Sequence, residues 1–564
     1  MIQDIYDPLE KYRFEFREKF AELAQAKFEE LAQKSGIDAK KNHETTQSIA
    51  GAKKELSSQK NKLLLKVFLI LLLVVGLAIS GYLAYKFGAN ADGIRYGVIC
   101  ATCILLLFLT GKSLSKTSKH IEELKFQVRI WEREAWAQMR PLNELYTWDI
   151  PVKLIEKTVP KLAFDPYFTA SRLANLKRQF GWDDSFNENK SILFAQSGEI
   201  NGNAFAIGEY MKQNWGSKTY TGEKQITWTQ WVVDTNGKSR LVTKSQVLTA
   251  SVTKPIPVYQ NEKILIYGND AAPNLKFSRN PSEFSNNDGL FNSIRKKMEL
   301  RRLKKFSQNL DDDSQYTLMS NHEFETLFHA KDRNNEVEFR LLFTALAQTQ
   351  ILKIMKDQNF GYGDDFSFKK QGKINLISAK HLDDAPIDTN PERFQDFDFY
   401  RAKRNFLEFN EKYFKDIYFA FAPLLSIPLY QQTRTHEDIY NENAKQLSFW
   451  EHEAIANFYG DSHFKHPQCV TRSILKTTTV SHENGVSKIL VSAHGFRTQS
   501  HISYVKVFGG DGKWHNVAVE WDEYLPICGS SLISVAESED GRKIKTYKNN
   551  AHLRRNIYSW LERD

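Results

Sequence analysis

The stretch SFWEHEAIANFYGDSHFKHPQC, residues 448–469, holds the side chains whose types and spacing most suit chemistry. Zinc takes three or four nitrogen or sulfur ligands that converge on one point, and His452, His463, His466 and Cys469 would supply four. His463-x2-His466-x2-Cys469 is a ligand-like spacing, and eight of the fourteen histidines fall between His436 and His515. If those four residues share an ion, the chain is a metal-dependent hydrolase with zinc as its cofactor. Three features oppose that reading. WEHEAIANFYG lacks the HExxH arrangement that sets two imidazoles one turn apart on a helix. Pro467 interrupts the ligand run, and no CxxC is present. The expectation is therefore a polar loop that joins a helix to a β-rich C-terminal part, with no catalytic residue in it. His436-Glu437-Asp438 offers a base beside two acids, but adjacent side chains point apart on a helix or a strand, so a structural role is expected there too. No GxSxG, Walker A, GxGxxG or kinase pattern occurs.

The elements that position this stretch belong to a long chain. At 564 residues it exceeds what one core can organise, and its 41% apolar and 26% charged content is globular. A net charge of +9 is modest for this length, and aromatic-basic RNA-binding signatures are missing, so no nucleic-acid partner is indicated. Four cysteines make no disulfide framework at this size, which fits a domain facing a reducing compartment. The N-terminus, MIQDIYDPLEKYRFEFREKF, is charged throughout and reads as no secretory signal.

Two apolar runs dominate the first quarter. VFLILLLVVGLAISGYLAY, residues 67–85, carries no charge, and as a helix it would rise roughly 28 Å, the thickness of a bilayer's hydrocarbon core. A second run, residues 94–110, follows after a short loop, so residues 63–111 are expected to form a two-helix transmembrane hairpin in a lipid bilayer. Lys53, Lys54, Lys60, Lys62 and Lys66 precede the first span, and Lys112, Lys116 and Lys119 follow the second. The connecting loop holds only Lys86 and Arg95. That bias predicts a multi-pass protein with both termini in the cytoplasm. Residues 1–62 then form a helical arm and residues 112–150 a helical stalk. Phe14, Phe20, Leu23, Phe28 and Leu31 recur at helical spacing before the hairpin, as do Ile121, Leu124, Val128, Trp131 and Trp136 after it.

Residues 151–400 mix strands and helices without a βαβ rhythm, so an α+β cytoplasmic domain is expected. KQITWTQWVVDTNGKSRLVTKSQVLTASV reads as a hairpin turning at Asn236-Gly237. FNSIRKKMELRRLKKF reads as a basic helix, EVEFRLLFTALAQTQILKIMKDQ as one longer amphipathic helix, and FSFKKQGKINLISAKHL as another hairpin. Residues 401–564 should supply an aromatic-striped helix and an antiparallel meander of short strands, with turns at HENG, GGDGK and EDGRK.

Two apolar spans, then ILFAQSGEINGNAFAIGE, then NHEFETLFHAKDRNNEVEFRLLFTALAQTQILKIM and FSFKKQGKINLISA, resemble an uncharacterised bacterial family of membrane proteins. The family is known only as a domain of unknown function. Its members pair a membrane hairpin with a cytoplasmic α+β domain, and the resemblance covers roughly residues 60–390. It implies a place in the bacterial inner membrane and a role near LemA-type envelope proteins, which become the expected partner class; it implies no activity, cofactor or catalytic residue. The overall expectation is a membrane-anchored, non-enzymatic interaction or scaffold protein.

Overall fold

The computed structural model describes residues 5–88, 90–233, 238–282, 290–308, 316–433, 446–483, 485–537, 552–555 and 557–562. The turn expected at Asn236-Gly237, the His436-Glu437-Asp438 cluster and the turn at residues 539–543 lie outside them, as does Asn484 of the HENG turn. The chain forms two compact units.

One unit, Ala21–Ile150 with Asn390–Glu411, is helical. Asp38 caps a helix, Ala39–Phe87, by accepting from the N–H groups of Lys40 and Lys41. Gly88 ends it at φ +58°, a conformation that glycine adopts without strain. The chain then returns as a second helix, Ala91–Asn143. Only the last part of the expected arm, from Ala39, is continuous with the first apolar run, since a separate helix, Arg17–Ser35, precedes it; the second run and the stalk form one helix. Where the pair is polar, Lys53 reaches Glu132 at 2.7 Å, His120 Nε2 reaches Glu55 at 3.1 Å, and Lys66 Nζ donates to Thr117 at 2.7 Å. Ile49, Ala52, Val128 and Ala135 bury a small apolar seam between them. In the apolar halves Gly76 lies against Cys103 and Gly81 against Cys100, small residues that let two helices approach closely. The large side chains there, Leu71, Val74, Leu105 and Phe108 among them, point away from the partner helix and are exposed. Both helices are long and apolar enough to cross a membrane.

The other unit, Met1–Phe20, Pro151–Thr389 and Lys412–Asp564, is α+β with wholly antiparallel sheets. Its strands are β1 (Leu162–Phe164), β2 (Lys190–Ile200), β3 (Asn203–Val233), β4 (Ser239–Gly268), β5 (Lys276–Arg279), β6 (Phe366–Gln371) and β7 (Ile374–Ala379), in the order β1-β2-β3-β4-β7-β6-β5. A second sheet, in the order β11-β12-β10-β9-β8, contains β8 (Ile474–Glu483), β9 (Val486–Phe508), β10 (Trp514–Glu537), β11 (His552–Arg554) and β12 (Ile557–Leu561). Helix Phe449–Tyr459 packs against both sheets. Trp450 and Ala454 join Phe168, Ile192 and Tyr210 in one core, while Ile455 and Ala456 join Leu475, Val491 and Ile533 in the other.

The first residues of the chain belong to this unit. Phe20 stacks on Phe414 at 4.4 Å, and Tyr12 stacks on Tyr418 at 5.3 Å, both partners lying on helix Phe399–Leu425. Two expectations need correction. The single amphipathic helix after Glu336 is two, Glu336–Leu342 and Ala345–Lys356, because the Thr344 hydroxyl accepts from the Ala347 N–H and starts a new N-terminus there. The meander of short strands is instead dominated by two long ones, β9 and β10, whose alternation runs unbroken through FRTQSH.

Candidate functional site

β3 and β4 outrun their sheet. Beyond Gln213 and Lys263 they pair only with each other among the described residues, so residues 214–233 and 239–258 form a two-stranded ribbon roughly 65 Å long at ~3.3 Å per residue. β9 and β10 do the same beyond Arg497 and Leu525. An isolated hairpin is marginal in water, and these two are stabilised by lying face to face. Ile226, Leu248 and Ala250 of the first ribbon bury against Val517 and Val519 of the second. Lys254 sits over the Trp521 ring at 3.8 Å, and Gly510 N–H donates to Gln246 at 2.7 Å. Gly222 allows the closest approach, since a Cβ there would meet the Ala518 carbonyl oxygen at 2.0 Å.

The outward faces differ. On the first ribbon Thr219–Thr253, Thr221–Ser251, Thr227–Ser245 and Thr229–Thr243 are cross-strand pairs, all exposed. β-branched threonines favour the strand without apolar burial, and paired hydroxyls add to it, as between Thr219 and Thr253 at 3.1 Å. Glu223 is the one charge on that ladder, which ends in an exposed Trp231–Leu241 pair. The second ribbon turns Ile502, Tyr504, Phe508 and Trp514 outward on one face, with Tyr504 68% and Trp514 67% exposed. Phe508 and Trp514 meet edge to face at 5.4 Å. With the Lys506–Asn516 pair set between Tyr504 and the two rings, this mix of exposed aromatic and polar side chains has the composition of a protein contact surface.

Where the ribbons leave their sheets a pocket of about 450 Å³ opens, lined by Lys476, His494, Phe496, Ile527 and Cys528 among others. His494 and Cys528 face each other across β9 and β10. Behind Lys476 lies helix Phe449–Tyr459, which carries Glu451, His452 and Glu453 in succession, all buried. Glu451 receives Arg555 at 3.0 Å and the Phe168 N–H at 2.8 Å. Glu453 receives Asn187 at 3.0 Å, the Ile192 N–H at 3.0 Å and Lys476 at 3.3 Å. Burial pushes its carboxyl up to about 7, against the lowering pull of Lys476 and the N–H donors. Burial lowers Lys476 in turn.

The candidate ligands are placed separately. His452 is buried with Nε2 unpartnered among the described residues. His463 is exposed at the end of the short turn Asp461–His463, and His466 Nδ1 accepts from the Gln468 N–H at 3.1 Å. The Cys469 sulfur lies beneath Gly495, within reach of the Ser473 hydroxyl at 3.6 Å. Among the described residues no three His, Cys, Asp or Glu side chains are grouped to hold one ion. The spacing reading passed over Glu451, Glu453, Lys476 and Arg555. WEHEAIANFYG signals only that three ionisable residues in a row lie among apolar ones; their partners Lys476 and Arg555 carry no signal in the sequence.

Burial also pushes the His452 imidazole down to about 4. The sign follows: neutral His452 contributes its full stability above the ordinary value near 6.5, and that contribution is lost as pH falls from there toward 4. Glu453 runs oppositely, contributing below 4.5 and losing its contribution as pH rises to about 7. The two slopes offset in the parent. His452→Phe is therefore expected to gain about 2 kcal/mol relative to the parent between pH 7 and pH 5, read from urea unfolding at each pH. An equal stability difference at both pH values would show that the imidazole is not buried in its neutral form.

Comparison of the chain with family models, with curated proteins and with solved structures finds no match.

Proposed function

We propose that this chain is a membrane-anchored, non-enzymatic interaction protein of the bacterial envelope, with its two stacked β-ribbons as the contact surface. The observation that carries the reading is the outward patch of Ile502, Tyr504, Phe508 and Trp514 on a ribbon that projects beyond its sheet. The two apolar helices serve as the anchor, and the lysines at their polar ends favour a cytoplasmic location for both termini. The packing of Tyr12 and Phe20 against Tyr418 and Phe414 supports two crossings, because residues packed together must lie on one side of the bilayer. A LemA-type envelope protein is the partner class that the sequence resemblance favours.

The test places a photo-crosslinking amino acid at Tyr504, at Trp514 and, as a control away from the patch, at Lys465. In membranes, Tyr504 and Trp514 should yield the same discrete adduct and Lys465 none. Tyr504→Ser, Trp514→Ser should abolish an adduct captured from Ile502 without a change in melting temperature, since exposed substitutions usually shift stability by about ±0.5 kcal/mol. No adduct from either patch position, or the same adducts from all three positions, would remove the ribbon from the reading.

A further inference from the structure

One element has no part in the ribbons or their base. Helix Leu290–Gln308, LFNSIRKKMELRRLKKFSQ, carries seven Lys and Arg residues and a single acid, Glu299. That acid is turned inward. Its carboxylate receives His329 Nε2 at 3.0 Å and Lys331 Nζ at 3.1 Å, from the residues that follow helix His322–Phe328. Leu303, one turn further on the same face, is fully buried. The inward stripe thus removes the only negative charge from view. What remains outside is cationic: Arg295, Lys297, Arg301, Arg302, Lys304 and Lys305 are all exposed. Met298 stands among them, 49% exposed, and Phe306, which packs edge to face on the buried Tyr316 at 5.4 Å, keeps 40% of its surface exposed.

We infer that this helix is a docking surface for the anionic phospholipid headgroups of the membrane that anchors the chain. Charge complementarity is the first ground. A helix face with six exposed cations and no exposed acid is attracted to a negatively charged leaflet, each Lys or Arg strengthening attachment about fivefold. The second ground is the apolar pair. A polyphosphate has no use for an exposed Met and Phe, and RNA would use only the ring, whereas an interfacial helix places both side chains at the acyl boundary. The inference rests on the anchoring part of the reading above, which keeps such a surface within reach.

The test uses the full chain in nanodiscs of phosphatidylcholine alone and of phosphatidylcholine with roughly a third phosphatidylglycerol, followed by backbone hydrogen exchange. Residues 295–308 should exchange about tenfold more slowly in the anionic discs only, and 0.5 M salt should erase the difference by screening. Arg301→Glu, Lys304→Glu, Lys305→Glu should also erase it while the ribbons exchange as before. Equal exchange in the two discs would overturn the inference. So would protection in the neutral discs by an added RNA oligonucleotide or polyphosphate without protection by the anionic lipid, which would make the occupant a soluble polyanion. A chain that is not retained in either disc would instead tell against the anchor itself, so the two failures are distinguishable.

Discussion

The double variant Leu71→Arg, Val74→Arg is expected to lose stable membrane attachment. Both positions lie in the first half of the first apolar run, Val74 close to its middle, and both side chains are exposed, 59% and 49%. The substitutions therefore leave the contacts between the two helices intact and change only what the surrounding medium meets. In hydrocarbon each arginine at the centre of a span costs about 2.5–3.5 kcal/mol, so the pair costs about 5–7 kcal/mol. Snorkelling relieves the charge at position 71, about 6 Å from the start of the run, more than the one at position 74, so these figures are upper values. In water the same change would be harmless, which makes the outcome decisive. Ser57→Arg, Ser58→Arg, two exposed positions in the polar half of the same helix, is the control and should remain attached. Should the Leu71, Val74 variant stay in the membrane fraction through high-salt and alkaline washing, the first helix is not the anchor.

Arg555→Met should be the most damaging single change in the β-rich unit, costing about 3–5 kcal/mol in unfolding. The guanidinium is buried and fully engaged. Nη1 donates to the Ala195 carbonyl at 2.7 Å and to Glu451 at 3.0 Å, and Nη2 donates to the Pro166 carbonyl at 3.0 Å and to Gln196 at 2.6 Å. It follows β11 and precedes β12, so it ties the second sheet to β2 of the first and to helix Phe449–Tyr459. Methionine keeps the apolar stem and removes every donor. The Glu451 carboxylate is then left buried with only the Phe168 N–H, and that uncompensated charge is the main cost. Glu451→Gln added to Arg555→Met should recover part of the loss, because the stranded charge is gone. A single variant within about 1 kcal/mol of the parent, or a double variant worse than the single, would place the energy of this joint elsewhere.

These two sites mark the limits of reading the chain from its sequence. The helix that holds Leu71 and Val74 was legible because a continuous uncharged run is what a membrane crossing would require, and such a run is read without knowing any partner. The stalk was legible for a related reason, since Ile121, Leu124 and Val128 repeat at helical spacing against one partner helix. Arg555 and Glu451 were not, because their meaning depends on groups far off in the chain, Ala195, Gln196 and Phe168. The ribbons fell between. Thr219-x-Thr221 and Thr227-x-Thr229 alternate as a strand must, but hydroxyl residues alternate without the apolar contrast that marks a half-buried strand, so their length went unread. His463, His466 and Cys469 read as a polar loop after a helix, from the missing HExxH and the proline in the run, and the chain places them between helix Phe449–Tyr459 and β8, through the Asp461–His463 turn and the course under Gly495.

The contact of the first residues with helix Phe399–Leu425 sets a timetable for biosynthesis. Tyr12, Phe16 and Phe20 emerge early, yet Phe414, Tyr418 and Phe419, the rings they pack on, are translated roughly 400 residues later, about 20–80 s at ordinary elongation rates. Through that interval the aromatic stripe has no native partner, while the apolar hairpin that follows it is already leaving the ribosome. A nascent chain of this design must hold a sticky N-terminus apart from a long apolar segment until its distant complement is made. Its yield should then depend on how well chaperones shield those three rings during synthesis.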